Sequence, residues 1–353
     1  MTQSSRQQGC TDSRIAGGRA PLPRTRIARL RARAVARLTT RDPQFLRRVT
    51  TDFPFADEAA AQRTVDIATT FLVGYNLIAG GADAPAARDR ATEVPRFFRP
   101  FYFEGAAMGF GPFALRTGGG LGGFEDFARA LSPATVYQNY VGFGWWLGTF
   151  YRGRAGRVAR VVAELDPRYG LLCYEGIGFR QGFMSGGRRT RPTDIRRGDV
   201  PATHVWYQGY GRSLWFVHMG DTAAAARSAL RVPEPYVGDC ISGLGTGVAF
   251  SWLDRAADYA RFYQAVPERF RAEFDQGLSF GWEARQLADR ELFDASLRCL
   301  PAPVVADVDE RVGDVHEVRD ALVAAGDHTD FYNAWRRGVV RRRRSGKPLF
   351  PAR

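Results

Sequence analysis

The chain has 353 residues, 45% of them hydrophobic and 13% aromatic, which is enough apolar material for a substantial core and excludes disorder throughout. Its net charge of +13 sits at the ends: residues 1–48 hold twelve arginines against Asp12 and Asp42, and residues 336–353 hold seven arginines and Lys347 with no acid, so the body between them is acidic. Neither arm interleaves aromatic residues with its charges as a base-stacking platform does, and nucleic-acid binding is not expected.

Cysteines at 10, 173, 240 and 299 lie too far apart for a zinc site or a disulfide framework, so reduced thiols in the cytoplasm are expected, with no metal or cofactor. The first residues lack the apolar run of a signal peptide. The longest charge-free apolar stretches, such as Gly243 to Leu253, fall short of the ~18 residues that span a bilayer.

In chain order, residues 1–26 read as a disordered basic arm rich in Ser, Gln, Gly, Pro and Arg. A short basic helix is expected over 26–37. Asp57-Glu58 then opens a strong helix to Gly80-Gly81, with an apolar stripe from Ala60 to Tyr75 and the glycine pair as its stop. From Gly74 onward a glycine beside aromatic residues recurs at 105, 142, 176, 209, 243 and 277, spaced 31, 37, 34, 33, 34 and 34 residues.

This ladder predicts an all-α fold: an α/α helical-repeat stack, either a TPR- or Sel1-like solenoid or a closed array, with units of about 34 residues over 27–335 and a basic tail at 336–353. Each unit should place a glycine-bearing helix first and a shorter amphipathic helix second. In the clearest unit Gly238 to Trp252 is the first helix, Asp254 caps the second, and Pro267 starts the next unit. In the unit before it, Asp221 caps Ala223 to Leu230. A mid-helix glycine costs about 1 kcal/mol, so its recurrence implies close approach of the partner helix. Two stretches interrupt the ladder. Gly118, Gly120 and Gly123 match G-x-G-x-x-G with no strand before them, which argues against dinucleotide binding. Gly186 to Pro201 reads as an exposed loop. Beyond Pro303, Val312 to Ala325 and Asp330 to Arg337 are expected to cap the stack.

No P-loop, nucleophile elbow or zincin motif is present. What remains are polar side chains on otherwise apolar helices: Glu104 and Glu175 one residue before a repeat glycine, Gln208 in the same place, Arg212 three residues after Gly209, Glu283 with Arg285 in the last clear unit, and His218. Equivalent positions would line one inner face, where a carboxylate either pairs with arginine or becomes a general acid; the same residues can equally form ion pairs and caps between units. Trp145, Trp146, Phe179, Trp206, Trp215 and Trp282 could wall a groove for a long unsaturated ligand, or simply fill the core.

The ordered blocks Phe71-Leu72-Val73-Gly74-Tyr75, Phe103-Glu104-Gly105-Ala106-Ala107-Met108-Gly109-Phe110, Tyr140-Val141-Gly142-Phe143-Gly144-Trp145, Tyr174-Glu175-Gly176-Ile177-Gly178-Phe179, Gly209-Tyr210-Gly211-Arg212-Ser213-Leu214-Trp215-Phe216 and Phe280-Gly281-Trp282-Glu283-Ala284-Arg285 resemble a bacterial family of unknown function commonly encoded beside enediyne polyketide synthases. The resemblance covers roughly residues 40–335. Members often carry histidine where this chain has Arg180, a departure that counts against proton transfer there. The resemblance implies a role in making or maturing an enediyne-type polyketide. The chain would be a cofactor-independent enzyme or binder that holds a linear polyene, with Glu104, Glu175, Arg212, Glu283 and Arg285 as catalytic contacts and Gln208, His218, Trp145, Phe179, Trp215 and Trp282 as binding contacts. The alternative is a scaffold that docks synthase or tailoring partners.

Overall fold

The computed structural model describes residues 41–350 apart from Pro43, Asp327, Lys347 and Pro348. The arm expected over 1–26 and the helix over 26–37 lie outside the described residues. Within them the fold is all-helical: sixteen α-helices and six short 3-10 turns, with no strand.

The helices start where acceptor side chains satisfy their first N–H groups. Asp57, Asp83, Asp199, Asp221 and Asp289 each accept the backbone N–H three residues on. Gly81, at φ 112°, and Gly118, at φ 76°, end two helices in the left-handed conformation that glycine tolerates. The elements are α1 (Gln44–Thr50), α2 (Glu58–Gly80), α3 (Ala84–Arg90), α4 (Arg99–Thr117), α5 (Phe124–Leu131), α6 (Val136–Phe150), α7 (Ala155–Ala163) and α8 (Leu172–Met184). They continue as α9 (Val200–Val217), α10 (Thr222–Ala229), α11 (Val237–Ser251), α12 (Tyr259–Gln264), α13 (Arg271–Ala288), α14 (Arg290–Leu297), α15 (Ala302–Ala325) and α16 (Phe331–Ser345).

Seven of these, α2, α4, α6, α8, α9, α11 and α13, carry the repeat glycines and pack side by side in chain order. Gly105 and Gly109 of α4 meet Phe71 and then Tyr75 to Ala79 of α2 in the same order, so neighbours run parallel. The glycines do a different job from the one expected. They admit the next and previous glycine-bearing helices, not the short partner of their own unit.

The working motif is G-x-G. An added Cβ at Gly176 would overlap the Val141 carbonyl on the preceding helix, and one at Gly178 the Trp206 carbonyl on the following helix. Gly209 and Gly211 face Glu175 and Cys240 in the same way, and Gly243 and Gly245 face Gln208 and Phe274. Backbone therefore lies directly on backbone at each step. Gly74 is a forward-facing member and Gly105 a backward-facing one, which explains the short first spacing in the ladder.

The short second helices are irregular. Asp254 does not cap one; it pairs with Arg63 at 2.7 Å from within a 3-10 turn over Leu253–Asp258, and α12 begins at Tyr259. No second helix lies between α8 and α9. The arginine-rich loop there is tied down: buried Asp194 accepts the Gly153 N–H, and Gln181 donates to the Arg191 carbonyl at 2.6 Å.

The row of seven coils back on itself. Met219, at the end of α9, contacts Ala56 and Thr64 beside and on α2. Phe101 of α4 meets Phe250 of α11 at 5.0 Å between ring centres, and Tyr137 of α6 donates to Glu283 of α13 at 3.0 Å. Helices four places apart thus touch, and the inner faces close around a narrow centre.

At the C-terminal end the basic run from Arg336 is not a separate tail. It is the second half of α16, held by Trp335, whose ring is buried and donates to the Val315 carbonyl, and by pairs of Arg336 with Asp239, Arg343 with Asp314 and Arg344 with Glu273.

Candidate functional site

The coil brings three of the sequence-predicted residues together. Arg212 of α9 donates to Glu104 of α4 at 3.0 Å and lies 3.1 Å from Glu175 of α8, and all three side chains are about 5% exposed. The guanidinium also sits over the Phe179 ring, 4.5 Å from its centre. Two carboxylates against one guanidinium leave a net negative charge in a desolvated place. Burial raises the pKa of both Glu104 and Glu175, Arg212 opposes the rise, and Glu104 adds to it at Glu175. Both shifts run toward the neutral acid, and a neutral carboxyl beside a cation can act as a general acid with an anion-stabilising neighbour.

A cavity flanks the cluster on each side. One, of about 40 Å³, is lined by Phe71, Phe101, Trp145, Phe179, Phe183 and Phe216, with Glu104 and Arg212 at its base and Leu46 of α1 among its walls. The other, of about 30 Å³, is lined by Tyr137, Phe250, Phe280 and Tyr332, with Glu175 and Arg212 facing it. The first is apolar on most sides, the second also takes Gln138 and Thr246 into its walls, and each is large enough for a few water molecules only.

The other two expected catalytic residues are elsewhere. Glu283 is buried but accepts from Tyr137 and lies 3.2 Å from His316 and 4.0 Å from Arg319. Arg285 is fully enclosed by Phe97, Phe101 and Phe250 and donates to the carbonyls of Phe97 and Phe250; it has no ion pair among the described residues, and burial lowers its pKa to about 9 against the opposing pull of Tyr259, Asp254 and Asp289. Both serve contacts between α13 and the first helices of the coil.

His218 lies against Ser228 at 3.0 Å. Trp215 donates to Ser251 and packs on Trp252, and Trp282 packs on Tyr259, so both tryptophans fill the outer layer. Trp145 and Phe179 do line the first cavity. Gln208 is fully buried one turn before Arg212, and neither its amide oxygen nor its amide nitrogen has a hydrogen-bond partner among the described residues.

Two residues were missed that the repeat could have revealed: Ser242 and Gln276, each one position before its glycine and so equivalent to Glu104, Glu175 and Gln208. The Ser242 hydroxyl donates to Gln276 at 2.6 Å. Tyr332 gave no such signal, because α16 stands outside the ladder. Among the described residues no three metal-ligating side chains converge, and no helix is long and apolar enough to cross a membrane.

A family model described as "Protein of unknown function (DUF1702)" matches residues 29–343. No curated protein and no solved structure matches the chain.

Proposed function

The chain belongs to the DUF1702 family, whose function is unknown; from the central site, and from the resemblance of its sequence blocks to proteins encoded beside enediyne polyketide synthases, we propose that it binds and transforms a long unsaturated polyketide intermediate in the line of cavities at its centre, in the making or maturation of an enediyne-type polyketide. The observation that carries this reading is the buried Glu104–Arg212–Glu175 cluster between two aromatic-walled cavities. We read the seven glycine-bearing helices as one helical-repeat array whose concave face has closed into this line.

The chemistry that suits the cluster is proton transfer without a cofactor. A neutral carboxyl protonates an unsaturated carbon or carbonyl oxygen, Arg212 stabilises the negative charge that develops on oxygen, and the second carboxylate removes a proton elsewhere on the chain. Such a sequence isomerises or cyclises a polyene. The aromatic walls keep water away from the cationic or enolic intermediate. Loading requires the partitions between the cavities to swing aside, since the enclosed space is far below the roughly 300 Å³ of an ordinary ligand site.

Deleting the gene from its host and profiling the polyketides tests this. The expected result is accumulation of a linear unsaturated chain, reversed by the wild-type gene and not by Glu175→Gln. An unchanged profile sinks the reading, and loss of every polyketide instead favours a scaffold for synthase or tailoring partners.

A further inference from the structure

The line of cavities has an open end. Along α9, His204, Gln208, Arg212 and Phe216 follow at intervals of four residues, roughly 6 Å each at 1.5 Å per residue. Arg212 and Phe216 face the inner cavities, while His204 lines a groove of about 400 Å³ at the opposite end. The same order holds on the neighbours. Ser242 and Gln276 line the groove, and Thr246 and Phe280, one turn on, line the nearer cavity. Tyr332 and Asn333 of α16 sit between the two. The groove is thus the mouth of the line, and the Glu104–Arg212–Glu175 cluster lies about 12 Å inside it.

The mouth is built of charged groups with one to spare. Arg336 pairs with Asp239, Arg337 with Asp330 and Arg344 with Glu273. Asp239 also holds His204 at 2.6 Å. Arg341, exposed on the same helix face, makes no ion pair or side-chain hydrogen bond among the described residues. At the floor Gln276 is completely buried: its Oε1 accepts from Ser242, and its Nε2 has no partner. The first turns of α11 and α13 open beside it at Gly238 and Glu273, adding their backbone dipoles. Four guanidiniums against three carboxylates leave one positive charge, and a buried amide donor goes unused.

We propose that this mouth recognises a carboxylate, the anionic end of the linear chain whose apolar remainder lies in the cavities. The inference rests on the proposed reading of those cavities. Of the groove-lining atoms without a hydrogen-bond partner, Gln276 Nε2 and Arg336 Nε are donors and Glu273 Oε2 is an acceptor; a planar anion gripped by Arg341 as a fork and accepting from Gln276 answers the donor side, and Arg344 holds Glu273 through its other oxygen. The anion also sets register, because an anchored end places a fixed carbon of the chain at Glu175 and Arg212.

The test is a fluorescence titration of the purified full chain with cis-parinaric acid, a conjugated tetraene carboxylic acid, and with its methyl ester. Wild type is expected to bind the acid at least tenfold more tightly than the ester, and Arg341→Ala, at an exposed position, to bring that ratio to about one. Arg341→Lys should keep part of the preference. Equal affinity for acid and ester in wild type, or an undiminished preference in Arg341→Ala, overturns the carboxylate site and leaves the cavity reading standing. Failure to bind either compound overturns both.

Discussion

Glu104 and Glu175 were legible as a pair because each precedes a repeat glycine, and equivalent offsets on parallel helices turn toward one centre. Arg212 came with them through its place after Gly209. Glu283 and Arg285 were grouped with these as occupants of an equivalent place in the last unit, but they follow Gly277 by six and eight residues instead of preceding it by one. Their helix, α13, closes against α6 and the turn before α4, so they meet Tyr137 and Phe97 instead. The raised carboxyl pKa values of the cluster give a signed prediction. In the unfolded chain the carboxyls titrate near their ordinary 4.5, whereas burial holds the folded ones protonated to higher pH. The folded state then binds more protons, so this contribution to stability is full below about pH 4.5 and is lost as pH rises through the folded value. In urea melts at pH 5 and pH 8, Glu104→Gln, which leaves one carboxylate for one guanidinium, should lose less stability between the two than wild type does. Equal losses would place the proton elsewhere.

At the scale of elements, the glycine ladder announced helices correctly and misassigned what they touch. Helical spacing, Asp caps and glycine stops are local, and α2 and α10 lie where those signals put them. Which surface a missing Cβ admits is not local. Each G-x-G looks to a carbonyl about 35 residues back and to another about 29 residues ahead in sequence. Gly209→Ala, which drives a methyl into the Glu175 carbonyl, should therefore cost about 3 kcal/mol in chemical denaturation, the upper part of the range for overpacking. Gly313→Ala, in α15 with open space at the Cβ position, should raise stability by up to about 1 kcal/mol. Similar effects of the two would remove the steric account of the ladder. α16 shows the same limit: its arginines read as a tail because their partners, Asp239, Glu273 and Asp314, are far away in sequence or invisible to periodicity.

Over the whole molecule, contacts between helices four places apart separate this array from an open stack in which each unit touches only its neighbours. An open stack tolerates truncation, since its stability is a sum over units and their nearest interfaces. Here α2 relies on the end of α9 and on α11, and α4 on α11 and α13. A fragment ending at residue 219 should accordingly show no cooperative thermal transition by circular dichroism, while the full chain melts in one step. A fragment that melts cooperatively would mean that the long-range closures contribute little. The sequence by itself determined the helical class, the bounds of α2, α10 and α11 to within a residue, and the recurring offsets that carry Glu104, Glu175 and Gln208, because these depend on residues within a turn or two of one another. Only the tertiary structure decided that the coil closes, that Arg212 lies between the two carboxylates, and that Glu283, Arg285, Trp215 and Trp282 are turned away from them. Those outcomes depend on how far each parallel helix rotates about the next, an angle set by backbone contact at the glycines and summed over seven helices.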